Sequence, residues 1–420
     1  MINSLRGMRD FLDNDGALYE HVVGVCAKVA QNFGFAFIET PKLEETALFR
    51  RSVGESSDIV GKEMYEFSDK GGESICLRPE GTAGVVRAFL QAKLDKIGGI
   101  KRWFYHGSMF RYERPQRGRQ REFHQFGIEA LGEENPAVDA EVILLAVDFL
   151  RSLGLKDLEL SLNSVGCPSC RPVYRKALQD YFRDKLDDLC DDCKDRFDRS
   201  PLRILDCKVD ADKPFMKDAP RITDCLCDAC QDHFHMVQEY LSHAGISFQL
   251  DPRLVRGLDY YTKTAFEIKY APLGAQSAVA GGGRYDGLIE EIGGKPTPAV
   301  GFATGLERVL LALEKQGLLP EQDRKTDGFV IALGDAAQLP AFGLLEKLRR
   351  AGLKAGMDYA GRSMKAQMKQ ANKAGARYAL IIGEEEVKES CVQLKNMATS
   401  EQQKVSFDNI VEKLYAEVKG

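Results

Sequence analysis

Apolar Leu18, Val22, Val25 and Val29 recur at helical spacing, and the FAFIET run that follows halts at Pro41, so the chain opens as a helix and then a strand. Further strands are expected over SICLRP, KRWFYHGSMFRYE, EFHQFGIEAL, LELSLN, AFEIKYAP and AVGFA. Several of these are joined by turns too short for a parallel crossover, which predicts an antiparallel sheet with helices around it. The longest helical patterns, AVDAEVILLAVDFLRSLG and TGLERVLLALEKQG, carry apolar stripes and end near glycine, as helices covering one face of a sheet should. Between about Val165 and Gly245 the strand pattern stops, cysteines cluster and charged helical stretches such as RKALQDYFRDKLDDL take over, which marks an inserted module. After Gly317 a polar, proline-containing linker, LLPEQDRKTDG, leads into alternating strand and helix patterns: DGFVIALG, KAGMDYA and YALIIGEE with helices between them. The expected organisation is an α+β domain over 1–325, interrupted by a cysteine-rich helical insertion over 165–245, and then an α/β domain over 326–420.

Composition narrows the function classes. At 420 residues the chain exceeds the ~250–300 at which one core stops growing, in keeping with more than one domain. A net charge of −5 argues against nucleic-acid binding by bulk electrostatics, so any RNA contact must come from a local basic patch. The longest apolar run, Val142 to Leu150, contains an aspartate and falls short of the ~18 residues a membrane span needs. The opening MINSLRGMRDFLDNDG offers neither an apolar core nor a cleavage site, so a cytoplasmic protein is expected. Eleven cysteines in a long chain without a leader point to free thiols or metal ligands rather than a disulfide scaffold.

Five segments carry chemistry. In FRYERPQRGRQREFHQFGIEA two aromatic-rich strands flank a loop with Arg111, Arg114, Arg117, Arg119 and Arg121. Guanidinium groups make planar, bidentate contacts with phosphate oxygens and stay charged, so the loop suits a polyanion, and ATP and RNA would both satisfy it. SAVAGGGRYDGL places three glycines after a strand, where backbone can approach a ligand closely, but its spacing matches neither a P-loop nor a dinucleotide fingerprint. AVGFATGLERV leads from a strand into a helix with Glu307 and Arg308 in its first turns, an anion-friendly place. LRPEGTAGVVR sets Glu80 and Thr82 at a strand-to-helix turn, and LVRGLDYYTKT sets Arg256 near Tyr260 and Tyr261. Acidic, hydroxyl and cationic groups are what an amino acid needs: an acceptor for its ammonium, a cation for its carboxylate. Taken singly, each segment reads equally as a capped helix, a core tyrosine pair or a solvated hairpin.

In this order the segments resemble the bacterial histidyl-tRNA synthetases, a family of class II aminoacyl-tRNA synthetases, over nearly the whole chain. LVRGLDYY and AGGGRYDGL look like the two histidine-specific signatures, the arginine hairpin and GLERV like the second and third class motifs, and FAFIETP like the first. The resemblance implies a six-to-eight-stranded antiparallel catalytic sheet, an insertion, a C-terminal anticodon-binding domain and a homodimer. It implies that Glu80, Thr82 and Gln125 hold the substrate ammonium, that Glu129 and Tyr261 address the imidazole, that Tyr260 lies alongside, and that Gly81 belongs to the same histidine-binding set. It gives Arg111 to the α-phosphate of ATP, Glu113 to adenine, Arg308 to the adenine face and γ-phosphate, and Arg119 to phosphate. Arg256 would bridge the histidine carboxylate and the α-phosphate, with Mg2+ accompanying ATP. Arg114 and Gln116 would read the acceptor end of tRNA(His); no membrane or DNA partner is implied. The alternatives are a non-catalytic histidine-sensing regulatory relative of the ATP phosphoribosyltransferase type and a class II synthetase for another amino acid. The presence of Arg111, Arg256, Arg308 and the C-terminal domain opposes the first.

The cysteines stand outside the resemblance. Cys167 and Cys170 form one C-x-x-C and Cys190 and Cys193 another, with Cys207, Cys225, Cys227 and Cys230 beyond. The spacing of the first two pairs fits a four-thiolate structural zinc site, and reduced metal-free thiols are the other reading. His233 and His235, two apart on a helix, point to different faces and are expected at the surface.

Overall fold

The alternation in EFHQFGIEAL is what builds the centre of the molecule. The computed structural model describes residues 2–54, 59–205, 207, 209–255, 257–258, 260–319 and 326–419, which fall into two compact units, 1–320 and 321–420. The first unit holds β1 (Ala36–Phe37), β2 (Lys101–Phe110), β3 (Glu122–Leu131), β4 (Glu159–Ser164), β5 (Gln249–Leu250), β6 (Thr262–Lys269), β7 (Ala278–Arg284) and β8 (Ala299–Gly305). They form one eight-stranded sheet in the order β1-β2-β3-β8-β7-β6-β4-β5. All its inner pairs are antiparallel, and only the two-residue edge strands pair in parallel.

Because strand side chains alternate, one face of β3 presents Phe126, Ile128 and Ala130, and the other presents Gln125, Gly127 and Glu129. The apolar face joins Phe266 of β6 and Phe302 of β8 in the main core. It is covered by α1 (Asp13–Asn32) through Val22 and Val29, and by a helix over Pro136–Ser152 through Val142, Ile143 and Phe149. A helix over Leu306–Gln316 adds Leu306, Val309 and Leu313. Both long helices read from the sequence therefore pack on the same face. The Pro136–Ser152 helix starts with Pro136 behind Asn135, whose side chain accepts the Ala137 N–H at 2.9 Å. The Leu306–Gln316 helix stops at Gly317, whose φ of 67° suits glycine.

The insertion is a small helical layer with its own core of Tyr174, Leu178, Phe182, Ile204, Met216 and Ile222. Its helices span Cys170–Phe182, Asp191–Arg199 and Asp228–His243. The last of these also sends Val237 and Leu241 into the main core. His233, expected at the surface, is buried there: its Nε2 lies 3.2 Å from Asp139 Oδ1, and the same carboxylate accepts the buried Arg284 guanidinium. A charged arginine in the interior needs such a partner, and the histidine completes the carboxylate's hydrogen bonding. His235 is exposed as expected.

In the second unit β9 (Gly328–Ala332), β10 (Ala355–Met357), β11 (Tyr378–Ile382), β12 (Cys391–Asn396) and β13 (Gln402–Ser406) form a sheet in the order β10-β9-β11-β12-β13, parallel across its first three strands. Continuous apolar runs, FVIA and YALII, suit strands covered on both faces. Leu344, Leu348 and Leu414 pack on one face and Ala371 on the other.

Candidate active site

The polar face of the large sheet floors a cleft of about 1210 Å³, counting the part that opens to solvent. Glycines make the floor possible. A Cβ at Gly301 would stand 2.0 Å from Glu129 Oε2, and one at Gly81 would stand 2.3 Å from the Tyr105 ring, so both side chains occupy space that only glycine leaves. The run Gly281–Gly283 lies inside β7 rather than after a strand, as its pattern had suggested: Gly282 faces the Gly301 carbonyl too closely for any side chain. Glycine runs read as turns because they lack side-chain pattern, yet close strand approach demands them too.

One end of the cleft is lined by buried groups. Glu80 is buried and caps the helix α2 (Thr82–Gln91), accepting the Thr82 N–H at 2.7 Å and the Ala83 N–H at 2.9 Å. Burial pushes its carboxyl up, and those two N–H groups oppose the push. Glu129 accepts the Thr82 hydroxyl at 2.8 Å, the Tyr105 hydroxyl at 3.3 Å and the Tyr285 hydroxyl. Burial nevertheless pushes its pKa up to about 8, with the nearby Glu80 adding to the rise. Tyr260 and Tyr261 pack with ring centroids 4.7 Å apart against this pocket, and burial raises the Tyr260 hydroxyl well above its usual range. Gln125 Oε1 is buried and accepts no hydrogen bond among the described residues, an unmet acceptor on the cleft wall.

The other end is cationic. Arg111 is held by the Pro79 carbonyl at 2.9 Å and lies over the Phe123 ring. Arg308 donates to the carbonyls of Gly118 (3.3 Å) and Ala278 (2.9 Å) and to Gln276 Oε1 (3.0 Å), so it faces the cleft rather than solvent. Arg119 pairs with Glu113 at 3.0 Å. Burial lowers the Arg308 pKa and the positive charges of Arg119 and Arg111 lower it further, while Glu113 and Glu267 oppose the fall, so three guanidiniums and two carboxylates act on one space.

The structure thus brings Glu80, Thr82, Arg111, Glu113, Arg119, Gln125, Glu129, Tyr260, Tyr261 and Arg308 to one cleft, with Gly81 behind its wall. Arg256 lies outside the described residues. The five hairpin arginines divide: Arg117 pairs with Glu314 at 2.8 Å, Arg121 stacks 3.8 Å over the Tyr112 ring, and Arg114 is exposed with Gln116 at the hairpin tip. Sequence reasoning did not single out Tyr105 and Tyr285, the other two donors to Glu129, or Glu267 on the cleft wall. Glu267 had a signal: it is the acidic position alternating with Phe266 and Ile268 in AFEIK. The cysteines correct the expected zinc set. Cys167 and Cys170 meet Cys227 and Cys230, whereas Cys190 and Cys193 meet Cys207 and Asp210, so the four thiols first paired do not form one group. Spacing shows that a C-x-x-C can chelate but not which distant pair folds onto it.

Comparisons with known proteins identify the family. Residues 7–309 match the family model described as Histidyl-tRNA synthetase and residues 327–417 the one described as Anticodon binding domain. The histidine–tRNA ligase of Pelotomaculum thermopropionicum is 50% identical over 415 residues, covering 99% of this chain and 98% of its own. That of Moorella thermoacetica is 52% identical over 407 residues, covering 97% and 96%. The crystal structure of apo histidyl-tRNA synthetase from S. aureus superposes with a TM-score of 0.84 at 39% identity, covering 99% of this chain and 100% of that one. Among the described residues no helix is long and apolar enough to cross a membrane.

Proposed function

Since the chain belongs to the histidyl-tRNA synthetase family and is a histidine–tRNA ligase, we propose that the glutamate-tyrosine pocket of its cleft takes histidine and the arginine end takes ATP. The observation that carries this reading is the meeting of two buried carboxylates, Glu80 and Glu129, with three guanidiniums in one cleft. The ammonium of histidine goes to Glu80, Thr82 and the unmet Gln125 Oε1. Its imidazole goes to Glu129 and Tyr261, with Tyr260 alongside and Gly81 leaving room for Tyr105. A pocket that hydrogen-bonds both ring nitrogens rejects analogues lacking them by ~10⁴–10⁵, so selection needs no editing step.

Arg111 takes the α-phosphate of Mg-ATP, Arg119 and Arg308 the remaining phosphates, Glu113 the adenine and Arg308 its face. Glu267, a further carboxylate on the cleft wall, would meet the Mg2+ that the triphosphate carries. Arg256 keeps its bridging role between the histidine carboxylate and the α-phosphate on the sequence alone. The carboxylate attacks the α-phosphorus and pyrophosphate leaves, giving the acyl-adenylate; the terminal ribose hydroxyl of tRNA then attacks the acyl carbon, losing its proton as AMP leaves. The first step needs no general base, because a carboxylate is already ionised at neutral pH and the barrier lies in charge and alignment.

Arg114 and Gln116 take the acceptor end of tRNA(His) in the same reading, which their exposure at the hairpin tip supports. A homodimer in the cytoplasm belongs to the same reading; the edge strand β1 leaves Phe37 half exposed in the segment that resembles the dimer motif. So does a structural zinc in the insertion, with the ligands regrouped below.

Histidine-dependent ATP–pyrophosphate exchange tests the site. Arg111→Ala should lower it ~10²–10³-fold, the cost of one lost transition-state donor. Near-normal exchange in the folded variant, or wild-type exchange driven as well by another amino acid, would refute the assignment.

A further inference from the structure

The insertion contains three C-x-x-C turns built alike. The N–H groups of Cys170 and Arg171 donate to the Cys167 carbonyl (3.0 and 3.1 Å), those of Cys193 and Lys194 to Cys190 (2.9 and 3.0 Å), and those of Cys230 and Gln231 to Cys227 (2.9 and 3.0 Å). Each turn opens a helix, so both sulfurs of each pair stand at a helix start. The Cys227 N–H also donates to Cys170 Sγ at 3.2 Å, so a backbone dipole points at a sulfur.

The sulfurs meet at a particular spacing. Cys167 Sγ lies 3.5 Å from Cys170 Sγ and 3.8 Å from Cys227 Sγ, and Cys190 Sγ lies 3.6 Å from Cys207 Sγ. In each quartet all four ligand atoms lie within 4.8 Å of one another. A disulfide brings sulfurs to ~2.05 Å, and these cysteines are free. A tetrahedral ion with Zn–S of ~2.3 Å sets its sulfurs ~3.8 Å apart, which is the spacing seen. We propose that the insertion holds two structural zinc ions, one on Cys167, Cys170, Cys227 and Cys230, the other on Cys190, Cys193, Cys207 and Asp210.

Three or four soft thiolates select zinc over the hard cations that carboxylates prefer. In the second site Asp210 supplies the fourth ligand. It is fully buried; Lys213 Nζ lies 2.7 Å from Oδ1 and the Cys190 N–H donates to Oδ1 (3.3 Å) and Oδ2 (3.2 Å), so Oδ2 carries the fewer contacts and keeps a lone pair for the metal. The two sites have different reach. The first clamps the end of β4 to the start of the Asp228–His243 helix. Beside it Val165 and Gly166 hydrogen-bond Lys263 (2.7 and 2.9 Å), and Arg171 donates to the Tyr261 carbonyl. Its metal therefore positions the segment that carries Tyr260 and Tyr261, whereas the second site ties only parts of the insertion to one another. This coupling rests on the reading of that pocket as the histidine pocket; the two-zinc assignment does not.

Elemental analysis of the full chain, purified without chelator, tests the assignment first. Two zinc per chain in a colourless protein is expected, with the seven ligand thiols resisting Ellman's reagent until a chelator is added. One zinc or none, iron in place of zinc, or all eleven thiols reacting in the native chain would overturn it. Steady-state exchange kinetics then test the reach. Cys167→Ser with Cys227→Ser should keep one zinc and raise KM for histidine ~10-fold or more with KM for ATP little changed, whereas Cys190→Ser with Cys207→Ser should keep one zinc and leave both constants near wild type. Equal effects of the two pairs on KM for histidine would overturn the coupling while leaving the metal count standing. Should either pair fail to fold, the wild-type metal count still decides the assignment, and limited chelation that removes one zinc decides the coupling.

Discussion

Glu129 is where burial and hydrogen bonding pull against each other. Its carboxyl is pushed from an ordinary value near 4.5 up to about 8 by burial, despite three hydroxyl donors. Between those two values the unfolded chain has lost the proton and the folded chain keeps it. The native state then binds more protons, and stability falls as pH rises through the window. Glu129→Gln, which keeps the shape without the titration, should remove that slope. In urea unfolding without histidine, the variant should gain on wild type steadily from about pH 5 to pH 8; parallel curves would show that Glu129 does not carry the proton. The two carboxylates and the arginines of this pocket were legible because their residue types stand in an ordered set of segments. Tyr105 and Tyr285 were not, because an aromatic on a strand reads as core whichever polar group its hydroxyl reaches.

At the scale of elements, β3, β7 and β8 divide the labour by strict alternation: one face packs on helices and the other floors the cleft. Gly282 is the tightest point of that arrangement, since a Cβ there would stand 2.2 Å from the Gly301 carbonyl oxygen and 2.6 Å from Phe302 Cα. Gly282→Ala should therefore cost about 3 kcal/mol or more, at the upper end of overpacking penalties, seen as a lower urea midpoint for the catalytic unit. Wild-type stability would mean that the strands can part without cost. β2, β3, β4, β6 and β8 and both long helices could be read from periodicity, and so could the stop of the Leu306–Gln316 helix, because Gly317 must adopt a left-handed φ of 67° and few other residues do so cheaply. What periodicity could not give was the position of the glycine run inside a strand, nor the burial of His233, whose place depends on Asp139 and Arg284 arriving from elsewhere in the chain.

Across the whole molecule, each of the two units has its own core, one spread over the large sheet and its helices and the other over the five-stranded sheet. A chain ending at Pro320 should therefore fold and retain histidine-dependent pyrophosphate exchange, and should lose most charging of tRNA(His), because the domain that matches the anticodon-binding model is gone. Full aminoacylation by the truncated chain would show that the second unit contributes little to tRNA recognition. By itself the sequence determined everything that repeats at short range: helices and strands from their periods, the change of pattern beyond the linker, and the chemical types gathered for an amino acid and a nucleotide. Only the tertiary structure decided which distant groups meet. It joined Cys167 and Cys170 to Cys227 and Cys230, turned Arg308 into the cleft, and sent three of the hairpin arginines elsewhere. Local propensity acts through neighbours a few residues apart, whereas a site is closed by packing between elements that the chain order alone does not place.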